Sequence, residues 1–281
     1  MIIRGDARRI PLRNETVQCT VTSPPYFQLR DYPCGARQLG REATPEAYIA
    51  ELVQVFREVR RVLRHDGVLW LVLGDANWGT NSRQRSLHHP ILKPKDLIGI
   101  PWRVALALQA DGWYLRADVI WAKPNPMPEP VRDRPTRSHE YVFLLSKSRR
   151  YYYNAEAIAE PAVSDHPSAN RFRGRHQPTH GNRANSTFWT NVGGRRNRRD
   201  VWQISSGLTS AAHYAIFPAE LAQLCILAGA RPGDLVFDPF AGSGTVGEVA
   251  EKTARHWVGL ELAANYVVLA RQRTAQVGLP F

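Results

Sequence analysis

Ser23, Pro24, Pro25 and Tyr26 form a short string that could bind a flat base carrying an exocyclic amine. The two prolines stiffen the chain and remove backbone donors. The Ser23 hydroxyl and the Pro24 carbonyl can accept the two amine protons, while the ring of Tyr26 offers a stacking face. Taken alone, the same string could instead be a proline-stiffened strand end with a packed tyrosine.

A second string, residues 235–245, is an apolar run that leads into a glycine loop and then a predicted helix. Gly242 and Gly244 let a ligand approach the backbone, and free amides at a helix start favour an anionic group. No Lys-Ser/Thr pair follows Gly244, so the loop is not a P-loop. Glu261 lies 23 residues after Asp238, at the end of the next predicted strand, where a carboxylate can accept both hydroxyls of a ribose. Together these features favour an adenosine-containing cofactor over a purely structural turn.

Strands and helices are predicted to alternate along the chain. Apolar runs predict strands at 17–22, 68–73, 115–122, 141–146, 235–238 and 257–261. Helical spacing predicts helices at 45–63, with Thr44 as N-cap, at 97–109, at 218–227, from 245 onward, and up to about 276. This order predicts an α/β fold, a doubly wound and mostly parallel sheet covered on both faces. Such sheets bind ligands at the carboxyl ends of their strands, where both strings lie.

The two strings together resemble a family, the DNA amino-methyltransferases of the N4-cytosine and N6-adenine type. Residues 23–26 resemble its catalytic motif, and residues 238–245 resemble its S-adenosylmethionine motif. The catalytic motif comes first, an order similar to the circularly permuted β group of the family. The resemblance covers nearly the whole chain and includes the blocks at 5–7, 73–75, 120–125 and 138–141, but it fails over 164–200.

The resemblance implies a Rossmann-like, S-adenosylmethionine-dependent methyltransferase fold and a role for each motif residue. Asp6 would contact the adenine of the cofactor, Phe240 would form a wall of its pocket, and Glu261 would bind the ribose. The other implied cofactor residues are Asp238, Gly242, Ser243, Gly244 and Thr245. Ser23 and Pro24, stiffened by Pro25, would hold the target amine, and Tyr26 would stack on a base flipped out of the duplex.

The alternation of strands and helices breaks over 164–200, where Leu, Ile and Met are absent. This segment contains eight arginines and two aspartates, which give it a net charge of +6. This composition predicts a mobile insertion that orders on an anion, and we expect it to recognise the target in double-stranded DNA. It would divide one methyltransferase domain into a catalytic region, residues 1–163, and a cofactor-binding region, residues 201–281. A solvated loop without contacts is the alternative. The arginines are Arg171, Arg173, Arg175, Arg183, Arg195, Arg196, Arg198 and Arg199.

The overall composition favours a nucleic acid partner. The 281 residues carry a net charge of +12, and only five of the 37 basic residues are lysine. Arginine binds phosphate and guanine bidentately, although a GC-rich genome also raises its frequency. No apolar run approaches the ~20 residues of a membrane span, and the start lacks a secretory signal, so we expect a cytoplasmic protein. Three separated cysteines predict neither a disulfide framework nor a metal site.

The sequence therefore predicts a site-specific DNA methyltransferase that acts on the exocyclic N4 of cytosine by direct attack on S-adenosylmethionine. Ser23 favours cytosine, because the family usually has serine at this position for cytosine N4 and aspartate or asparagine for adenine N6. DNA N6-adenine methylation is the first alternative. A non-catalytic DNA-binding protein would be expected to lose Ser23, Tyr26 or the glycine loop. A methyltransferase for a protein glutamine or a small molecule would have no use for the arginines.

Three further expectations concern partners and the cysteines. A cognate restriction endonuclease would complete a restriction-modification pair. The enzyme would act as a monomer or a homodimer. Cys34 lies in a predicted turn, and direct attack requires no covalent intermediate, so we expect this thiol to be dispensable.

Overall fold

The computed structural model describes residues 1–32, 34–79, 89–162, 194–206 and 217–275. Its strands are β1 (Ile2–Arg4), β2 (Val17–Thr22), β3 (Leu63–Leu73), β4 (Tyr114–Ala122), β5 (His139–Ser146), β6 (Glu160–Pro161), β7 (Arg195–Arg196), β8 (Val201–Gln203), β9 (Leu235–Asp238) and β10 (His256–Glu261). Its α-helices are α1 (Pro45–Val62), α2 (Ile100–Ala110), α3 (Ala219–Gly229), α4 (Thr245–Lys252) and α5 (Ala264–Ala275).

The chain divides into two compact units, and the larger one contains the main sheet. This unit comprises Met1–Asn154 and Asp200–Phe281, and the smaller one is Ala155–Arg199. The main sheet has the strand order β1-β10-β9-β2-β3-β5-β4-β8. All of its neighbouring strands are parallel except for β5, which is antiparallel to both β3 and β4. The predicted α/β class with a mostly parallel sheet is confirmed.

The centre of the sheet is a topological switch point. The chain leaves β2 toward β3 on one side and leaves β9 toward β10 on the other, and β2 and β9 lie side by side with Thr20 opposite Phe237. Ligands of doubly wound sheets bind in the crevice that opens at such a point, outside the carboxyl ends of the strands. The two predicted functional strings follow these two central strands.

Local sequence signals explain where the elements flanking the site begin and end. Every residue of β2 is buried, and Ser23-Pro24-Pro25 ends the strand because proline cannot donate to the ladder. Helix α1 starts at Pro45, with the Thr44 hydroxyl accepting a hydrogen bond from the Ala47 amide at 3.2 Å. Its buried stripe packs in the core of the larger unit and includes Tyr48, Leu52, Val55, Phe56 and Val59.

Some element boundaries differ from the predicted ones. Strand β3 starts at Leu63 and not at Val68. Its first residues include the polar residues 64–66, and its pairing with β2 shifts register there. Helix α2 starts at Ile100, three residues later than predicted. The short strands β1, β6, β7 and β8 were not predicted, since two or three residues carry too little periodicity to be recognised. Within the described ranges, no helix combines the length and the apolar character that crossing a bilayer requires.

Candidate active site

Four neighbouring parallel strands bring predicted site residues to one edge of the sheet. In the strand order β1-β10-β9-β2, Asp6 follows β1, Glu261 ends β10, Asp238 ends β9 and Ser23 follows β2. The Gly5 amide continues the ladder by donating to the Glu261 carbonyl at 3.0 Å. Residues more than 200 positions apart in the chain therefore share one edge.

A buried hydrogen bond joins the two central strands at this edge. The Thr22 hydroxyl donates to Asp238 Oδ1 at 2.6 Å, and the Phe240 amide donates to the same oxygen at 3.0 Å. Burial raises the pKa of the Asp238 carboxyl to about 7, against the opposing effect of these two donors. Thr22 was not identified as a site residue from the sequence. The only signal for it was that a polar residue stands at the buried end of an apolar strand.

The glycine loop, residues 239–244, turns sharply between β9 and α4. Gly242 and Gly244 have φ values of +49° and +85°, and Gly244 is the N-cap of α4. A Cβ on Gly244 would lie 2.9 Å from the Cβ and 3.0 Å from the Cα of Ala270, so only glycine fits there. Backbone amides at the start of α4 consequently lie close to any ligand at this edge.

Glu261 ties the glycine loop to the end of β10. Its Oε2 accepts from the Gly242 amide at 2.9 Å, and its Oε1 accepts from the Ala263 amide at 2.7 Å. Burial raises the pKa of this carboxyl, while the backbone donors oppose the shift. Each carboxylate oxygen has two acceptor sites, so both oxygens keep capacity for a ribose hydroxyl.

The remaining predicted cofactor residues lie around the same turn. Arg273 on α5 donates to the hydroxyls of both Ser243 and Thr245, which fixes the end of the loop to the last described helix. Asp6 accepts from the backbone amide of Arg8 at 3.0 Å and pairs with its guanidinium at 3.1 Å. Phe240 is half-buried.

The segment Ser23–Tyr26, called the SPPY segment below, is held by close backbone approaches. The Tyr48 hydroxyl donates to the Pro25 carbonyl at 2.8 Å. A Cβ on Gly40, where φ is +87°, would lie 2.8 Å from the Tyr26 carbonyl oxygen. The Pro24 carbonyl, by contrast, accepts no hydrogen bond from any described residue, which leaves it available to a substrate amine.

The Tyr26 side chain lies in a polar cluster that the sequence did not predict. Its hydroxyl donates to Glu140 Oε2 and accepts from Ser23 Oγ at 3.4 Å. Lys123 forms an ion pair with the other oxygen of Glu140, and its ammonium lies 4.4 Å from the centre of the Trp121 ring. Lys123 and Glu140 fall in blocks of family resemblance, which was the only signal that could have identified them.

Gly74 provides a test of the Tyr26 position that alters no chemical group. A Cβ at residue 74 would lie 2.6 Å from Tyr26 Cε2, so Gly74→Ala must displace the ring. Because misplacing a reacting geometry by about 1 Å can cost about 10²-fold, we expect methyl transfer to slow by about that factor while cofactor affinity stays unchanged. Single-turnover transfer and calorimetric titration measure the two quantities.

The control for this prediction is Gly233→Ala. A Cβ at residue 233 would meet no atom within 4 Å, but its φ of +81° makes the substitution strained. It therefore reproduces a loss of stability without disturbing the site. Normal transfer by the Gly74→Ala variant would contradict the position of the Tyr26 ring.

The smaller unit contains four of the predicted DNA-binding arginines. Arg196 and Arg199 both pair with Glu160, at 2.8 and 2.7 Å. Arg195 and Arg198 donate to the carbonyls of Ala159 and Ile158, at 2.5 and 2.9 Å. These four side chains thus have partners within their own unit. The other four, Arg171, Arg173, Arg175 and Arg183, lie outside the described residues.

The cysteines show no arrangement suited to nucleophilic catalysis. Cys19 and Cys225 are buried, and burial raises the pKa of both thiols. Burial also raises the pKa of Cys34, which keeps this thiol in the unreactive protonated form.

Comparison with known proteins identifies the family. The family model for N6/N4 methylases, described as DNA methylase, matches residues 17–272. The type II methyltransferase M.SmaI from Serratia marcescens is 48% identical over 288 residues, covering 97% of this chain and 89% of that protein. M.Cfr9I from Citrobacter freundii, also a type II methyltransferase, is 44% identical over 290 residues, covering 97% and 86%.

Solved structures show the same fold. The PvuII DNA methyltransferase (cytosine-N4-specific) superposes with a TM-score of 0.70 at 20% identity, covering 97% of this chain and 85% of that one. TTHA0409 from Thermus thermophilus, solved in complex with S-adenosyl-L-methionine, gives a TM-score of 0.64 at 25% identity, covering 100% and 95%. The chain belongs to the N6/N4 DNA methylase family and is an S-adenosylmethionine-dependent DNA methyltransferase.

Proposed function

We propose that this enzyme methylates the exocyclic N4 of cytosine in double-stranded DNA. The observation that supports methyl transfer at this site is the hydrogen bond between Thr22 and Asp238, which fixes the strand of the SPPY segment against the strand of the glycine loop. A target amine at Ser23 and a cofactor at the glycine loop would then lie at one sheet edge. Holding two reactants together can supply up to about 7–11 kcal/mol of the barrier reduction.

The residues at the glycine loop fit S-adenosylmethionine. We assign the ribose to Glu261, whose oxygens keep acceptor capacity, the adenine to Asp6 and Phe240, and the methionine end to the loop that follows Asp238. The backbone of the loop can come close to the cofactor because it has glycine at residue 244, where a Cβ would overlap Ala270. The loop residues Gly242, Ser243 and Thr245 complete the assigned set. When bound, this cofactor supplies a methyl group on a sulfonium, an electrophile that needs no activation by a metal.

The SPPY segment has the chemistry to prepare the amine. The lone pair of an exocyclic amine is delocalised into the ring, and hydrogen bonds from its two N–H groups to Ser23 Oγ and the Pro24 carbonyl favour a tetrahedral nitrogen with a free lone pair. As the nitrogen gains the methyl group, it would give up one of these two protons to solvent. The Pro24 carbonyl is open to such a donor among the described residues, and Pro25 is fixed by Tyr48. The base must leave the duplex to reach this segment, at a cost of a few kcal/mol, and Tyr26 would stack on it.

The assignment to cytosine rests on Ser23. In the resembled family, serine at this position accompanies N4-cytosine targets, whereas aspartate or asparagine accompanies N6-adenine targets. A hydroxyl can accept from either amine, so N6-adenine methylation is the second candidate. We propose a type II restriction-modification role with a cognate endonuclease, supported by the description of the relatives M.SmaI and M.Cfr9I as type II methyltransferases. The enzyme would act in the cytoplasm, where it meets DNA, as a monomer or a homodimer.

Target recognition is assigned to the arginine-rich insertion, residues 164–200, between the catalytic region, residues 1–163, and the cofactor-binding region, residues 201–281. The arginines of the insertion would contact phosphates and base edges. Arg196 and Arg199 both pair with Glu160, so a DNA phosphate would compete with this carboxylate for their guanidinium groups. Most of the proposed DNA contacts are therefore assigned to Arg171, Arg173, Arg175 and Arg183.

Mapping the modified positions tests this function. Unmethylated genomic DNA would be treated with the enzyme and S-adenosylmethionine and then read by single-molecule sequencing, which detects N4-methylcytosine and N6-methyladenine by their kinetic signatures. We expect modification of one cytosine within a fixed sequence. Modification of adenine would favour the second candidate, and unmodified DNA would count against both.

Cofactor affinity should depend on pH through Asp238. With a pKa raised to about 7, this carboxyl is largely neutral at pH 6 and charged at pH 8. If the cationic cofactor prefers the charged form, its affinity should rise by up to about tenfold over this range. Calorimetric titration at the two pH values measures the change.

The Asp238→Asn variant is the control for this dependence. It keeps an acceptor for Thr22 and Phe240 but cannot ionise, so its affinity should vary little with pH. Burial also raises the pKa of Glu261. An unchanged pH dependence in the variant would contradict the role of Asp238 and place the effect on another group, of which Glu261 is one candidate.

A further inference from the structure

Glu140 and Lys123 reach the active-site edge from strands on the far side of β3. Strand β5 runs antiparallel to β3, so its amino end, with Glu140, lies at the edge where the parallel strands end. Lys123 follows β4 at the same edge, and its amide donates to the Ser138 carbonyl at 2.7 Å. The side chains of Lys123 and Glu140 are only 19% and 16% exposed.

The hydrogen bonds that link Glu140, Tyr26 and Ser23 have a defined donor-to-acceptor direction. An ionised carboxylate only accepts, so Glu140 takes the hydroxyl hydrogen of Tyr26 on one oxygen and the Lys123 ammonium on the other. The Tyr26 oxygen can then act only as an acceptor toward Ser23, whose hydroxyl lies 3.4 Å away. Each donor along the line Glu140–Tyr26–Ser23 therefore points toward Glu140.

We propose that Glu140, paired with Lys123, is a positioning residue that directs the Ser23 hydroxyl hydrogen away from the substrate, so that Ser23 faces the target amine only as an acceptor. The inference rests on the proposed function in one respect, which is that Ser23 contacts the amine. The inference adds Glu140 and Lys123 to the site and specifies the direction in which the Ser23 hydrogen points.

The direction matters because a serine hydroxyl can both donate and accept. A Ser23 hydrogen aimed at the amine nitrogen would occupy the lone pair that must attack the methyl group. With the hydrogen committed to Tyr26, both lone pairs of Ser23 Oγ are available to an N–H of the amine. The hydrogen bonds from Ser23 to Tyr26 and from Tyr26 to Glu140 thus prevent the Ser23 hydrogen from pointing at the amine nitrogen, although Glu140 does not contact the substrate.

Stability alone gives a weak reason for placing an ion pair here. Desolvation offsets much of the attraction of a buried pair, and hydrophobic replacement of such pairs is often neutral. The Lys123 ammonium has a second favourable contact with the Trp121 ring, at 4.4 Å, which helps to fix its position. The anchored cation holds the Glu140 carboxylate where its other oxygen accepts the hydrogen bond from Tyr26.

The test compares single-turnover rates in the full-length enzyme with saturating S-adenosylmethionine and genomic DNA. Glu140→Gln is nearly isosteric, but its amide can donate to Tyr26 and reverse the line. Tyr26→Phe interrupts the line and keeps the ring. We expect each to lower the rate by about tenfold, with unchanged cofactor affinity, because each disturbs the one hydrogen bond that fixes the Ser23 hydrogen. Lys123→Arg should restore most of the rate that Lys123→Met loses.

A double-mutant cycle with Ser23→Ala distinguishes positioning from a structural role. If Glu140 acts through Ser23, then Glu140→Gln should cause no further loss in the Ser23→Ala background. Glu15→Gln, which removes a carboxylate paired with Lys147 at 3.0 Å, is the matched control and should retain full activity.

Three results would overturn the inference. They are a normal rate in both Glu140→Gln and Tyr26→Phe, an equal loss from Glu140→Gln with and without Ser23, or a loss that appears only as weaker cofactor binding. Full activity of Ser23→Ala would instead refute the proposed role of Ser23 itself. The two failures are therefore distinguishable, and rates can be read on whichever base the enzyme methylates.

Discussion

Replacing Ser23 with alanine should lower the rate of methyl transfer by about 10²–10³-fold, the usual effect of removing one hydrogen-bonding group that acts in the transition state. The Ser23 hydroxyl follows β2 directly, and its only hydrogen bond among the described residues is the one to Tyr26 at 3.4 Å. Folding should therefore be unaffected. Cofactor affinity should also be unchanged, because Ser23 makes no hydrogen bond to a described residue of the glycine loop. Single-turnover transfer of a labelled methyl group measures the rate.

Ser148→Ala is the matched control for this prediction. The single hydrogen of the Ser148 hydroxyl is within reach of the backbone carbonyls of His65 and Arg150, and Ser148 lies just beyond β5, at the opposite end of that strand from Glu140. This variant removes a serine hydroxyl away from the proposed site, and we expect normal transfer. If Ser23→Ala matched it, the SPPY segment would not be the acceptor site.

Replacing Glu261 with alanine should weaken the binding of S-adenosylmethionine by at least about 10²-fold. Hydrogen bonds to charged groups contribute about 1.5–3 kcal/mol each, and the variant loses the carboxylate assigned to both ribose hydroxyls. It also leaves the amides of Gly242 and Ala263 without their acceptor, which loosens the glycine loop. Both effects act in the same direction. Isothermal titration with the cofactor alone measures the loss.

Two further variants make this prediction specific. Glu261→Gln keeps one acceptor oxygen and should retain part of the affinity. Glu220→Ala, at an exposed position in the first turn of α3, should bind the cofactor normally. If Glu261→Ala kept full affinity, the cofactor site would have to lie elsewhere than at the end of β10.

The parts of the fold that sequence could predict are those with local signals. The apolar run ended by Pro24 and Pro25 predicted β2 to the residue, and Thr44 before Pro45 predicted the start of α1. The string 235–245 predicted β9, the turn and the start of α4, because glycines with positive φ leave a recognisable pattern. Each of these signals lies within a few residues of the feature that it specifies.

The unpredicted features depend on contacts between distant residues. Tyr26 and Glu140 are 114 positions apart, and Thr22 and Asp238 are 216 positions apart. No spacing rule links such pairs, because the sheet order that joins them is a property of the whole chain. The antiparallel direction of β5, which brings Glu140 to the sheet edge of the proposed site, is likewise set by tertiary pairing with β3 and β4.

The central claim is that the SPPY segment presents the N4 amine of cytosine to a methyl donor at the glycine loop. The most direct test incubates the enzyme with unmethylated genomic DNA and S-adenosylmethionine carrying an isotopically labelled methyl group, digests the DNA to nucleosides, and identifies the labelled product by mass spectrometry. We expect labelled N4-methylcytosine, reduced by about 10²-fold or more in Ser23→Ala. Labelled N6-methyladenine, or N4-methylcytosine formed equally by both proteins, would contradict this claim.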